Sequence, residues 1–471
     1  MYSISPGVVV RAAIIGAGPT GLYLSIVLAR RGHSVVLLDR DPGPPAGIPV
    51  TGWARKGVMQ FHHPHGFRQQ VLESIREDMP EVWDALHRAG AEAVMRPDGA
   101  DIVVGFNCRR SMFEKVLREA AVAEPGVEFV LAHADEVVTT DGRAAGVRAG
   151  SLMVPAGLVI DASGRAGQVG RGLRAPAENH DCGLAYVSRQ YELLPGAEGG
   201  PVNSPVGMVL TCEGYLAIVF KQDNRTFSVL VARSAGDRAL ARMRHPEVFE
   251  AGLRAIPALA AWTDPARSRP ITPALPGGRL YNRYQGQLAA DGSVPIPGLV
   301  FAGDAVCTTN PTAGRGVSTS LLQARELARL IGEHPGDPES ATREFAAWCD
   351  AWIKPWFADH VYWDDDLARR WAGGEIDLTR PLPSDLVVAA TEADPSLFRV
   401  VGPYLQMKAL PGTLAAVQPQ VRDLYASGWR PTPADAPSRD ELAALLAAAT
   451  AHDSAHDSAH DGDGHFVDSP A

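Results

Sequence analysis

Apolar residues recur along the chain with two different periods. Residues 11–15 (RAAII) and 34–38 (SVVLL) are short apolar runs, the pattern of strands buried on both faces. Residues 22–31 between them carry a helical pattern. Further short runs at 127–130, 136–138, 158–160 and 299–301 predict more strands. Helices are predicted over 67–75, 81–89 and 317–331, and over a stretch opening near Ser111 with Phe113, Val116, Leu117 and Ala120 as its buried stripe. From about residue 180 the texture changes. Strand-forming residues fill 183–193, 208–211, 215–221 and 226–232, with Asp223-Asn224 as a turn, and read as an antiparallel sheet covered on one face. Residues 238–260 are helical with interruptions near Pro246 and Pro257. Residues 337–366 are rich in aromatics. Trp348, Trp352 and Trp356 fall at i, i+4 and i+8, one face of a helix that Pro355 bends or ends. Shorter helical patterns follow at 386–393, 397–402, 421–427 and 440–449. Residues 451–461 repeat an Ala-His-Asp-Ser unit, a low-complexity composition that predicts disorder.

Composition narrows the class. With 471 residues, 46% apolar and 21% charged, the chain is expected to be a soluble globular protein of two to four domains. A net charge of −10 argues against nucleic acid and acidic membrane surfaces. Part of that charge lies in the tail, so it says little about substrate. No apolar run reaches the roughly 18 residues of a membrane span. The N-terminus enters the first strand directly, so no secretory peptide is expected. Cys108, Cys182, Cys212, Cys307 and Cys349 are scattered, odd in number and without a CxxC, which suggests free thiols in the cytoplasm.

The first chemical signal is Gly16-Ala17-Gly18-Pro19-Thr20-Gly21, set between the first strand and the first helix, with Asp39 closing the second strand. Gly16 permits the tight turn, Gly18 lets backbone approach a pyrophosphate, and Gly21 lets helix and strand pack closely. The helix start favours phosphate charge, and Asp39 is placed to accept from ribose hydroxyls. This unit predicts a dinucleotide site without choosing NAD or FAD. Arg40 is expected over the adenine, at a phosphate, or simply at the surface. His62, His63 and His65 suggest metal at first sight. The intervening Pro64 and the lack of a nearby Cys or Glu argue instead for a loop beside the cofactor. Arg110 falls at a helix mouth, suited to a phosphate or a ring edge, with Arg109 as its rival. The second signal is Asp161, which ends an apolar strand and is followed by small residues that let a cofactor pass.

The third signal is a strand running into Gly303-Asp304, followed by Pro311, Gly314, Arg315 and Gly316 and then a helix. Asp304 would accept from a ribityl hydroxyl. Pro311 would end a loop beside the ring. Gly314 and Gly316 would bring backbone N–H groups to the flavin pyrimidine edge, and the helix start would favour negative charge there. An NAD enzyme has no use for a ribityl acid so far beyond the first glycine motif, so the pair selects FAD. The expected architecture is α/β: a Rossmann-like FAD-binding domain in two parts (1–179 and 286–335), an inserted antiparallel-sheet substrate domain (180–285), a C-terminal helical portion (336–450) and a disordered tail (451–471).

The segments GAGPTG at 16–21, CRRSMFE at 108–114, DASGR at 161–165 and GDAVCTTNPTAGRG at 303–316 resemble the FAD-dependent monooxygenase superfamily of aromatic hydroxylases, squalene-type epoxidases and flavin halogenases. GVMQFHHPHG at 57–66 and LAYVSRQY at 184–191 look closer to its bacterial epoxidase-like branch. The resemblance spans roughly residues 10–335. It implies insertion of one oxygen atom from O2, through a flavin C4a-hydroperoxide, into a largely apolar small molecule by alkene epoxidation or ring hydroxylation, in secondary metabolism. It implies that Asp39 and Arg110 contact the AMP and phosphate sides and that Asp304 contacts the ribityl chain. Residues 311–316 would line the ring. NAD(P)H would reduce the flavin directly or through a separate flavin reductase. Asp161-Ala162 stands where hydroxylases that take hydride directly usually show Asp-Gly, which favours the separate reductase. No WxWxIP motif is present, which weighs against a halogenase. A reductase of prenyl-type double bonds shares the scaffold and stays open.

No single catalytic residue is evident, and the flavin itself would carry the chemistry, with Pro311 and Arg189 as candidates lining the ring. Tyr186, Arg189, Tyr191, Met208 and Phe220 are candidates for the pocket roof, each also open to plain packing. The aromatics at 348–363 read as a buried helix cap or as an apolar substrate wall. Asp364-Asp365-Asp366 reads as solvated or as a helix start rather than as a metal site.

Overall fold

A computed structural model of the chain describes residues 10–45, 50–96 and 101–460. The loop expected at 42–49 and the end of the tail therefore lie partly outside the described residues. Five strands form a parallel sheet in the order Leu299–Phe301, Leu158–Asp161, Arg11–Ile15, Ser34–Asp39, Val127–Leu131. Their side chains are almost wholly buried where the sheet is covered on both faces. Helix Pro19–Arg30 packs against helices Arg110–Ala123 and Gly316–Glu333, so the two halves of the domain share one core although some 200 residues separate them. This is the expected Rossmann-like α/β architecture, with an inserted antiparallel sheet and C-terminal helices. Among the described residues no helix is long and apolar enough to cross a membrane.

The inserted sheet runs Gly207–Cys212, Tyr215–Lys221, Thr226–Ser234, Leu184–Leu193, Ser268–Pro270, all antiparallel, with Leu275–Gly277 on the other end of Leu184–Leu193. Side chains alternate between its faces. Val187, Tyr191, Phe227 and Val231 pack on helices Pro246–Arg254 and Pro257–Thr263, where Tyr191 stacks on Phe227 and Phe227 meets Trp262. Tyr186, Ile218, Phe220 and Leu230 form the opposite apolar face.

Three sequence expectations change in the C-terminal part. The aromatic stretch is two helices, Pro338–Trp352 and Lys354–Trp371, broken at the fully buried Ile353. Trp348, Trp352 and Trp356 therefore do not share a face. Trp348 packs on the nucleotide-domain core, Trp352 is half exposed, and Trp356 stacks on Tyr404 in a separate helical core. Asp364 and Asp366 are buried inside the second helix rather than solvated. Asp366 is paired with Arg369, Arg370 and Arg380. Lastly, helix Arg439–His460 continues into the stretch whose composition predicts disorder. Residues 461–471 lie outside the described residues.

Arg109, the rival of Arg110, fastens the two units together. Its backbone N–H and its guanidinium both donate to the Asp223 carboxylate, at 2.6 Å and 2.5–3.1 Å. Both residues are buried. Removing one partner strands the other charge in a dry joint. Asp223→Ala is expected to lower stability by about 3 kcal/mol, measured by denaturant unfolding. Asp84→Ala on the exposed side of a neighbouring helix should change it little.

Candidate functional site

The three sequence signals converge because the sheet is in register. Ile15 pairs with Asp161, and Asp161 pairs with Phe301. Each strand then turns at the same edge: Ala162 N–H donates to Ile15 O at 2.9 Å, Ala302 N–H to Asp161 O at 3.0 Å and Gly16 N–H to Leu38 O at 2.7 Å. A cleft opens at this edge. Its lining runs from Gly16, Gly18 and Asp39, past Arg55, Arg110 and Asp304, to Pro311, Gly314 and Gly316 under the inserted sheet. Gly16 has φ +103°, and a Cβ there would lie 2.6 Å from Ala162 O. A Cβ at Gly18 would meet nothing within 4 Å, so its backbone is bare to the cleft.

A buried chain of charge crosses the cleft floor. Asp39 Oδ2 accepts from Ala17 N–H (2.6 Å) and from Arg55 Nη2 (2.7 Å). Arg55 Nη1 also reaches Glu114 Oε2 at 2.6 Å, and Arg110 Nε donates to Glu114 Oε1 at 2.5 Å. Burial works against the charge on Arg55, but Glu114, Asp39 and Asp41 outweigh it and raise its pKa. Asp304 feels the opposite balance: burial raises its pKa against the pull of Arg110 and Arg165. Arg55 was missed in the sequence, and Glu114, though it closes the CRRSMFE segment, was given no role there. Glu114 did leave a signal, a charged residue beside Phe113 on the predicted buried stripe; nothing in the spacing marks Arg55.

The far end of the cleft is less polar. Val58, Tyr186, Phe220 and Leu230 line it. The histidine loop is drawn in here: a Cβ at Gly66 would sit 3.3 Å from Gly314 O, so this loop and the 311–316 turn touch through backbone. His63 crosses Tyr186 edge-on with ring centroids 4.9 Å apart, and its Nδ1 shares a 2.7 Å hydrogen bond with Ser188 Oγ. The buried Tyr186 hydroxyl makes no hydrogen bond of good geometry, with the Gln60 side chain as its polar neighbour.

Of the candidates, Gly16, Gly18, Asp39, Arg110, Asp304, Pro311, Gly314 and Gly316 line the cleft, as do Tyr186 and Phe220. The others are elsewhere. Gly21 packs helix on turn, where a Cβ would lie 1.9 Å from Gly16 O. Arg40 is exposed and covers the outside of the Lys56 turn. Asp161 accepts from Ser163 N–H (3.0 Å) and holds the turn that follows its strand. Gly303 approaches Thr20 and donates its N–H to Gln323. Arg315 turns away from the cleft to pair with Asp359. Arg189 lies on the opposite sheet face from Tyr186, bound to Glu250 and Thr272 O, and Tyr191 shares that Glu250. Met208 packs with the same outer cluster. The aromatics at 348–363 do not line the cleft. Among the described residues no group of three or more His, Cys, Asp or Glu is placed to hold a metal.

A family model described as an NAD(P)-binding Rossmann-like domain matches residues 14–89. Digeranylgeranylglycerophospholipid reductase 2 of Methanopyrus kandleri is 26% identical over 72% of this chain and 81% of its own length. Protein Rv3254 of Mycobacterium tuberculosis is also 26% identical, over 68% of this chain and 72% of its own. Among solved structures, a triple mutant of the flavin-dependent brominase Bmp2 superimposes with a TM-score of 0.61 at 16% identity, covering 88% of this chain and 99% of that one. PqsL of Pseudomonas aeruginosa in complex with 2-aminobenzoylacetate gives 0.58 at 16% identity, covering 77% and 98%. The fold is thus a Rossmann-like nucleotide-binding fold of the kind also found in flavin-dependent monooxygenases and halogenases of bacteria. None of these likenesses singles out the epoxidase branch.

The buried histidines carry a pH consequence. Burial lowers the pKa of His63 to about 4, and burial together with Arg110 lowers that of His65 to about 3. A lowered pKa means that the fold favours the neutral ring. That contribution is complete above the ordinary histidine value of roughly 6.5 and is lost as pH falls through 4. For His63 it is on the order of 3 kcal/mol. Wild-type stability should therefore fall from pH 6.5 to 4, and His63→Gln should flatten that fall in unfolding titrations.

Proposed function

We propose that the chain is an FAD-dependent monooxygenase acting on a largely apolar small molecule, by alkene epoxidation or ring hydroxylation. The observation that carries this reading is the continuous lining from Asp39 through Asp304 to the 311–316 turn, ending under an apolar roof. Its residues suit FAD. The bare backbone of Gly18 and the start of helix Pro19–Arg30 favour a pyrophosphate. Arg55 and Arg110 offer guanidinium groups, and Asp304 offers an acceptor to the ribityl chain. Helix Gly316–Glu333 starts at the cleft and favours negative charge there. Bound and reduced, FAD supplies the electrons that activate O2. The chain's own part is to orient the substrate and exclude water, for which Val58, Phe220 and Leu230 are suited. The Tyr186 hydroxyl can take one hydrogen-bonding group of the substrate. No strong base is needed, and His63 is held neutral. The Asp161-Ala162 step supports delivery of electrons by a separate flavin reductase.

Two other readings have specific support. The Methanopyrus kandleri reductase matches across 72% of this chain, which favours saturation of prenyl-type double bonds. The halogenase structures share the fold, which favours halogen transfer; against it, among the described residues no lysine lines the cleft to carry an oxidised halogen.

Purified protein is expected to bind one FAD per chain, measured by visible absorbance and titration. Asp304→Ala should weaken binding roughly ten- to a hundredfold by removing a charge-assisted bond. Protein that refuses FAD would overturn the reading. Turnover under oxygen-18 gas is expected to label the product. An unlabelled, saturated product formed without oxygen would establish the reductase instead, and a halide-dependent mass gain the halogenase.

A further inference from the structure

The turn that lines the inner cleft is held from behind by a helix that never reaches the cleft. Residues 310–316 divide between two directions. Pro311, Gly314 and Gly316 face the cleft, whereas Asn310, Ala313 and Arg315 face away. The residues facing away are gripped at three points. At the entry, the Asp364 carboxylate accepts from Asn310 Nδ2 on one oxygen and from Asn282 Nδ2 on the other, both at 2.7 Å. Asn282 Oδ1 in turn accepts the Asn310 backbone N–H at 2.7 Å. Asn310 Oδ1 accepts from Thr312 N–H and Oγ1 at 3.1 and 2.9 Å, which caps the turn. At the exit, Asp359 Oδ2 accepts from Arg315 Nη1 (2.7 Å) and from the Tyr404 hydroxyl (2.8 Å). The Arg315 guanidinium lies 4.9 Å from the Trp356 ring centroid. In the middle, Arg68 donates to Ala313 O and Leu405 O.

Asp359 and Asp364 are on one helix, Lys354–Trp371. Apolar packing would hold that helix in place more cheaply. Burial disfavours the Asp364 carboxylate and raises its pKa to about 6 against the hydrogen bonds from both asparagines. What the carboxylates add is direction: each oxygen has a fixed donor, and the network fixes where the turn's backbone lies.

We propose that Asp364 and Asp359 are positioning residues, through which helix Lys354–Trp371 sets the environment of the flavin ring without touching it. The proposal rests on the reading of the cleft as an FAD site. It gives the C-terminal helical region a part in the chemistry, beyond capping the core.

The test uses full-length, FAD-saturated protein and reads the visible spectrum, the fluorescence and the reduction potential of the bound flavin. Asp364→Asn sets an amide N–H against an amide N–H and breaks one link. Combined with Asn282→Asp, the exchange restores both donor and acceptor. The single variant is expected to keep FAD but to shift spectrum and potential, and the double variant to return both towards wild type. Asp359→Asn, at the other end, should also shift them, and it decides the matter alone if Asp364→Asn does not fold. Single variants with wild-type spectrum and potential, whatever their melting temperature, would overturn the proposal. So would shifts that the exchange leaves in place. Wild-type protein that binds no FAD would fail at the first step, taking the cleft reading and this proposal together; FAD-loaded variants without a shift would sink the proposal alone.

Discussion

Everything at the site depends on backbone meeting backbone at the edge of the parallel sheet. Gly16 turns at φ +103° directly against the carbonyl of Ala162, with no room for a methyl group between them. Gly21 fits helix Pro19–Arg30 against the same turn. Gly303, at φ +68°, takes the third strand end past Thr20. Side chains at these places would push the three turns apart and fill the space between them. The cleft is therefore a consequence of what is missing: three strand ends in register, each followed by a residue too small to occupy the edge.

This is why the nucleotide half of the fold was legible. Each of its signals is local, a short apolar run followed within a few residues by glycine or an acid, and strand register does the rest. Direction was not legible. The inserted sheet is apolar on both faces, Val187, Tyr191 and Val231 on one and Tyr186, Ile218 and Leu230 on the other. Alternation alone then separates Tyr186 from Arg189 without saying which faces the cleft. Arg315 illustrates the same limit. Gly314 is left-handed at φ +62°, and the chain past it sends Arg315 backwards to Asp359. The tryptophan spacing failed for another reason. A helical period counts only within one helix, and the chain breaks at Ile353, two residues before the proline that signalled it.

Electrostatics divides the cleft into two ends. Along the floor, Arg55 and Arg110 share Glu114, and Arg55 also holds Asp39, so positive charge is present but neutralised within the protein. An incoming diphosphate would compete with Glu114 for these guanidinium groups, and the carboxylates keep the arginines in place until then. Under the roof, by contrast, burial removes charge. His63 stays neutral, and Tyr186, Phe220 and Leu230 give the roof an apolar face, with Arg165 and Gln60 at its margin. On the proposed reading, the polar end would take the charged parts of a dinucleotide, and the other end a ring and a substrate.

The roof also carries a hydrogen-bonding preference of its own. In an apolar wall a single buried hydroxyl without a well-formed hydrogen bond is costly. Tyr186 is held there by its ring, against His63 on one side and within the Ile218, Phe220 and Leu230 cluster on the other, so the hydroxyl cannot withdraw to water. A molecule offering an oxygen or nitrogen at that point relieves the cost, and a pure hydrocarbon of the same shape leaves it in place. A site built this way discriminates by hydrogen bonding more sharply than by a methylene more or less. The alternation that puts Arg189 behind the sheet and Tyr186 in front thus sets the character of the roof: a neutral hydrogen-bonding group faces the cleft, with the guanidinium kept to the packing side.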